Sequence, residues 1–162
     1  MTNFIRVDDR LIHGQIIANW AGYLNVDNIV GIDDKTAKNP ALQSIMKMSV
    51  PKNYSCHICT MGDGIKTIRE LTEKGDTNLI IIRFPHLLEK LLSNITNFES
   101  VNIGNVSKKD GKSHEISNNV YFTNEDLKVV NHLFEEGVKI TFKTLPDSQG
   151  IDWVKKRIKH NS

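Results

Sequence analysis

The chain of 162 residues holds only two cysteines, four prolines and almost no excess of charge. Its cysteines, Cys56 and Cys59, form a Cys-His-Ile-Cys spacing that superficially matches a redox pair. Tyr54–Thr60 nevertheless reads as a strand, where residues three apart point to opposite faces, and a zinc site needs further ligands that do not stand nearby. The expectation is two small strand residues, with no metal and no cofactor. Lys and Arg number 21 against 19 Asp and Glu, a formal charge of +2. That balance excludes the footprint of a dedicated nucleic-acid binder, so any phosphate chemistry has to be local. No apolar run approaches the roughly 20 residues that cross a bilayer. Met1–Arg6 also lacks the apolar region of a signal peptide. A cytoplasmic chain that does not itself span the membrane is expected, and 39% hydrophobic content suits one domain over 1–162.

What the chain does have is alternation. Short apolar runs at Phe4–Val7, Ile29–Ile32, Ser55–Thr60, Leu79–Ile82, Val101–Ile103 and Val138–Thr144 are separated by helical patterns. This spacing predicts an α/β fold, a doubly wound and mainly parallel sheet flanked by helices. Leu79–Ile82 is apolar on both faces and belongs at the centre, whereas Val138–Thr144 alternates and reads as a half-exposed edge strand. After Gly14, Ile16, Ile17, Trp20, Ala21 and Leu24 fall at helical spacing. Asn39-Pro40 and Thr123 with Asp126 read as helix starts, and Gly75 and Gly137 as helix ends. Gly104–Gly111 is the best candidate for a mobile loop, and Lys155–Lys159 reads as a solvated helix face.

The segment Arg6-Val-Asp-Asp-Arg10-Leu-Ile-His13-Gly14-Gln15 joins the first strand to the first helix. Strand-to-helix turns of this kind bind anions, because the first N–H groups of the helix lack intrahelical partners. A neutral imidazole is a nucleophile near neutral pH, and an arginine fork holds two phosphate oxygens. His13 and Arg10 are therefore the candidates for phosphoryl chemistry. Backbone or loop groups of Asp9, Ile12, Gly14 and Gln15 can complete an anion nest, with Gly14 allowing close approach. Asp8 and Asp9 stay open between orienting Arg10 or the imidazole and simply holding the turn. Gln15 is open between a phosphate contact and first-turn surface. Asp8, Asp33, Arg83 and His86 fall at strand ends on the same sheet edge and are candidates for lining the cleft, with helix-start packing the other role for His86. His57, His132 and His160 lack a phosphate-binding context, and His114, beside the Lys108–Lys112 loop, reads as facing solvent.

Asp8-Asp9-Arg10-Leu11-Ile12-His13-Gly14-Gln15, followed by Asp33-Asp34, resembles the IIB component of the mannose/fructose/sorbose family of bacterial sugar phosphotransferase systems. Val101–Asn105, Lys108–Lys112 and Glu125-Asp126 before Gly137-Val138 agree, so the resemblance covers nearly the whole chain. It implies a sheet of about seven strands. It also implies that His13 receives a phosphoryl group, on Nδ1, from a phosphohistidine of a IIA component. The group would then pass to a hexose entering through membrane IIC/IID components, with Arg10 contacting the phosphate. Many relatives read Gly-Gly at Gly104-Asn105 and Asn-Pro at Phe84-Pro85, departures that alter cleft lining. The alternatives are a receiver-like signalling domain, whose aspartate and lysine positions are Thr60-Met61 and Gly104-Asn105 here, and a noncatalytic binding module.

Overall fold

The computed structural model describes residues 2–111 and 113–153. Along the chain run β1 (Asn3–Asp8), α1 (Gly14–Leu24), β2 (Asn28–Ile32), α2 (Asp34–Ala37), α3 (Pro40–Met48) and β3 (Ser55–Cys59). There follow α4 (Met61–Glu73), β4 (Asn78–Ile82), α5 (Leu88–Leu92), β5 (Ser100–Asn105), β6 (His114–Ser117) and β7 (Val120–Phe122). The described residues end with α6 (Asn124–Glu135), β8 (Lys139–Phe142) and β9 (Ile151–Asp152). Seven strands form one sheet in the order β3-β2-β4-β1-β5-β8-β9, parallel except for β9, which runs antiparallel to β8. β6 and β7 make a separate antiparallel hairpin.

Period-two side-chain alternation builds the two layers. Leu79 and Ile81 of β4 face Ile17, Trp20 and Ala21 of α1, while Ile80 and Ile82 join Ile65 and Ile68 of α4 and Leu88 and Leu91 of α5. All five β4 residues are buried, as its apolar run requires of a strand covered on both faces. The helix boundaries follow local chemistry. Asn39 and Thr60 each accept a backbone N–H as N-caps, Pro40 opens α3, and Thr123 with Asp126 makes a reciprocal capping box. Gly75 and Gly137 lie just past α4 and α6 at φ 87° and 94°, where a Cβ is strained.

Two sequence expectations change. Val138–Thr144 is not an edge, because β8 pairs with β5 on one side and with the two-residue β9 on the other. Its alternation is nonetheless present, with Ile140 and Phe142 buried and Lys139 exposed. Gly104 and Asn105 belong to β5 rather than to a loop. A side chain at Gly104 would overlap the Arg6 guanidinium, so glycine is needed for close approach within the sheet. Lys155–Lys159 and His160 lie outside the described residues.

The connection β1-α1-β2 crosses β4 in one direction and β4-α5-β5 crosses β1 in the other, with α1 and α5 on opposite faces. The strand order therefore reverses between β1 and β4, and a crevice opens at their carboxyl ends. At the amino ends the sheet is closed by amides. Asn78 donates to Asn3 at 2.9 Å and accepts from Asn28 at 2.9 Å, across the in-register starts of three adjacent strands.

Candidate functional site

The turn after β1 is shaped by an Asp8 carboxylate that is 3% exposed. Its Oδ1 accepts from the Arg10 backbone N–H at 3.1 Å and from Arg10 Nε at 2.9 Å, and its Oδ2 accepts from Arg10 Nη2 at 2.8 Å. This two-pronged grip fixes the plane of the guanidinium and raises its pKa, first through the hydrogen bonds to Asp8. Arg10 Nη1 has no protein acceptor among the described residues, and the side chain is about one-third exposed. Asp8 is thus the carboxylate that orients Arg10.

Leu11 follows at φ 60°, a left-handed backbone that folds its buried side chain back into the core. The chain then enters α1 with His13 extended at φ −120° and ψ 113° as N-cap, with no side-chain cap bond. The first-turn N–H groups of Gly14, Gln15 and Ile16 have no intrahelical acceptors and point to the helix entrance. His13 and Gln15 are exposed, whereas the Ile12 side chain is buried against Gly31. Ile12 is therefore a core residue that offers only its backbone to the turn. The close approach at Gly14 comes from within the chain: a Cβ there would lie 2.8 Å from the Ser49 carbonyl oxygen, at the end of α3.

Asp9 faces the other way from the expected anion nest. Its carboxylate accepts from Asn105 Nδ2 at 2.8 Å and from the Ser107 N–H at 2.7 Å, and its own N–H donates to the Asn105 carbonyl. It ties the turn to the end of β5, and an anion is repelled by its charge. Across the crevice, Arg83 Nε donates to the Asp9 carbonyl at 2.8 Å and Arg83 Nη1 lies 3.5 Å from Asp33 Oδ2. Arg83 thereby stitches the ends of β1, β2 and β4. Asp33 also caps α2 by accepting from the Thr36 N–H. His86 packs at a helix start, with Nδ1 3.0 Å from the buried Asp126 carboxylate and its own N–H donating to the same oxygen. Its ring stacks on Phe84, over which Lys109 Nζ sits at 3.9 Å. Asp33, Met61, Phe84, His86 and Lys90 line a groove of about 260 Å³ beside the crevice.

One group was missed by sequence reasoning. Arg6, in the middle of β1, is 2% exposed and reaches the back of Asp8, with Nη2 3.3 Å from Oδ2. The signal was a lone cation inside the apolar run Phe4-Ile-Arg-Val7. The cysteines do stand on opposite faces, Cys56 against the α1 core and Cys59 Sγ near Thr67 of α4, and burial pushes both thiols up. Among the described residues no cluster of His, Cys, Asp or Glu could hold a metal, and no helix is long and apolar enough to cross a membrane.

Residues 2–162 match the family model of the PTS system sorbose subfamily IIB component. The chain is 25% identical over 149 residues to the PTS system fructose-specific EIIB component of Bacillus subtilis, covering 92% of this chain and 91% of that protein. It is 28% identical over 152 residues to the N-acetylgalactosamine-specific phosphotransferase enzyme IIB component 1 of Escherichia coli K12, covering 89% and 90%. The match to the mannose-specific EIIAB component of the same organism, 24% identical, takes in 93% of this chain and 47% of that protein. The chain thus spans about half the length of that relative. The crystal structure of the IIBSor domain of the sorbose permease from Klebsiella pneumoniae shares the fold, with a TM-score of 0.89 at 18% identity over 100% of this chain and 99% of that one.

Proposed function

The chain belongs to the sorbose-subfamily IIB components of the sugar phosphotransferase system, and from that premise we propose that it carries a phosphoryl group on His13 from a phosphorylated IIA partner to a sugar. The observation that supports this reading is the exposed His13 at an uncapped helix entrance, beside an Arg10 whose plane Asp8 fixes. The lone pair of a neutral imidazole nitrogen, Nδ1 by family likeness, attacks the phosphorus of the donor phosphohistidine in line. A new N–P bond forms as the donor N–P bond breaks, and the donor imidazole leaves with the bonding electron pair. Arg10 Nη1 and the first-turn N–H groups of Gly14 and Gln15 meet the equatorial oxygens, where the charge of the transition state lies. In the second half-reaction a sugar hydroxyl attacks the same phosphorus while the His13 N–P bond breaks; the bonding pair returns to the ring nitrogen, the hydroxyl proton passes to water, and His13 is released neutral. Arg10 and the backbone supply the positive field, so the step is assigned no metal.

The partners follow from this reading: a IIA donor, then the membrane IIC/IID components with their sugar, and no nucleic acid. The whole of 1–162 acts as one cytoplasmic IIB domain that meets the membrane only through those components. The donor has to cover His13. Ile45 and Met48 of α3, 66% and 85% exposed, stand on the helix whose end backs Gly14, and we assign them to the IIA contact. The receiver-like alternative requires the order 2-1-3-4-5. Here β1 lies between β4 and β5, and Thr60 caps α4 where that design needs an aspartate.

The test is onward transfer. Purified phosphorylated chain mixed with membranes holding family IIC/IID components and their sugar should yield sugar phosphate as the protein loses its label. Release of inorganic phosphate alone, with no sugar phosphate in any such membrane, contradicts the carrier role.

A further inference from the structure

Asp8 orients Arg10 at an electrostatic cost. A carboxylate gripping an arginine makes a neutral pair, and a neutral pair attracts a phosphoryl dianion poorly. Behind Asp8 stands a second cation with nothing to do at the surface. Arg6 Nη1 donates to Asn102 Oδ1 and to the Lys143 carbonyl at 2.9 Å, and its Nη2 donates to the Thr144 carbonyl at 3.1 Å as well as to Asp8. The guanidinium lies 4.9 Å from the Trp20 ring centroid, and Trp20 Nε1 donates to the same Thr144 carbonyl. Gly104 leaves room for it, since any Cβ there would overlap it. A lysine could not satisfy these acceptors in one plane. Burial pushes the Arg6 pKa down to about 10, with Asp8 opposing the shift, so the group is still a cation at neutral pH.

We propose that Arg6 is a positioning residue for phosphoryl transfer: by neutralising Asp8 from behind, it lets that carboxylate hold Arg10 while the Arg6-Asp8-Arg10 row keeps a net positive charge at His13. The proposal rests on the phosphoryl-carrier reading. It differs from a purely structural role, in which Arg6 merely pins β1 to the end of β8. If neutralisation is the function, Asp8 is helpful only while Arg6 is present. Without Arg6 its negative charge works against the phosphoryl group.

The experiment follows His13 phosphorylation by phosphoramidate, a small donor that needs no docking surface, using intact mass against time. Wild type, R6M, D8N and the R6M/D8N double variant are compared, with H13A as control and circular dichroism to verify folding. R6M should slow labelling by about ten- to hundredfold, and D8N in the wild-type background should also slow it. In the R6M background the same Asp8→Asn change should speed labelling, regaining roughly three- to tenfold. With rates taken per folded molecule, that reversal of sign is not produced by a role confined to holding the fold, and D8N slowing both backgrounds alike overturns the proposal. Where R6M does not fold, R6K takes its place. With the charge kept, labelling should stay within about tenfold of wild type, and a loss as deep as that of H13A overturns the proposal. Failure of wild type to label on His13 removes the carrier reading itself, an outcome distinct from either result.

Discussion

The two ends of the sheet handle polar groups in opposite ways. At the amino edge, Asn3, Asn28 and Asn78 are buried and bond to one another, with Thr72, Thr96 and Asp76 taking the remaining donors. These groups are neutral or satisfied within the chain, so they fix register and have nothing left for a ligand. At the carboxyl edge the polar groups are charged and incompletely satisfied. Arg10 is held by Asp8 on one side only, and His13 enters α1 with no cap bond. The same α/β scaffold thus closes its polar network at one edge of the sheet and leaves it open at the other.

Substitutions should separate the two edges. Arg10→Ala should slow transfer from phospho-IIA by about 10²-fold or more, the scale for losing a donor aimed at developing charge. Its loss should cost about 1–3 kcal/mol in urea unfolding, because Arg10 is one-third exposed but its removal leaves the buried Asp8 carboxylate with Arg6 as its remaining side-chain partner. A large loss of stability with normal transfer in the folded fraction would erase the contrast. Asn78→Ala should do the reverse. It strands Asn3 and Asn28 groups in the interior, so unfolding should show about 1–3 kcal/mol of destabilisation while transfer per folded molecule is unchanged. Met48→Asp should sharpen the assignment of the α3 face, raising KM for phospho-IIA while leaving phosphoramidate labelling of His13 at the wild-type rate.

The smallest effect is expected at neither edge. His57 in the middle of β3 has its pKa lowered below 6.5, first by burial and then by Lys47 and Lys74. The folded state therefore binds fewer protons than the unfolded one below that pH. Its contribution to stability is present above about pH 6.5 and is lost as the pH falls through the lowered folded value. The difference in urea midpoint between wild type and His57→Asn should change between pH 7.5 and pH 5.5 in that direction; a difference independent of pH removes this role.

How much of this was legible in the sequence depends on how far away the partners lie. Strand alternation, the caps at Asn39 and Thr123, and the strand-to-helix turn around His13 are local patterns, and all are found where the residues place them. The grip of Asp8 on Arg10 spans two residues and stood among the open readings. Arg6 did not, because its acceptors at Asn102 and Lys143 are 96 and 137 positions away and only the closed sheet brings them in. Each of β1, β2 and β4 opens with asparagine, but that repeat gains meaning only once the strands are neighbours in register. The displacement of β8 from the edge has the same origin, since β9 is too short to announce itself. Asp9 shows that residue type can mislead, for a carboxylate beside the nest turned out to be tied to β5.

On the proposed reading, the open network at the carboxyl edge exists to load and unload His13. Wild type and H13A incubated with phosphoenolpyruvate, the two general phosphotransferase proteins and a family IIA, with intact mass measured before and after acid and base treatment, decide the matter. One added phosphoryl group, labile in acid, stable in base and absent from H13A, is the expected result. A base-labile adduct that persists in H13A would place the phosphoryl group on a carboxylate and contradict the account.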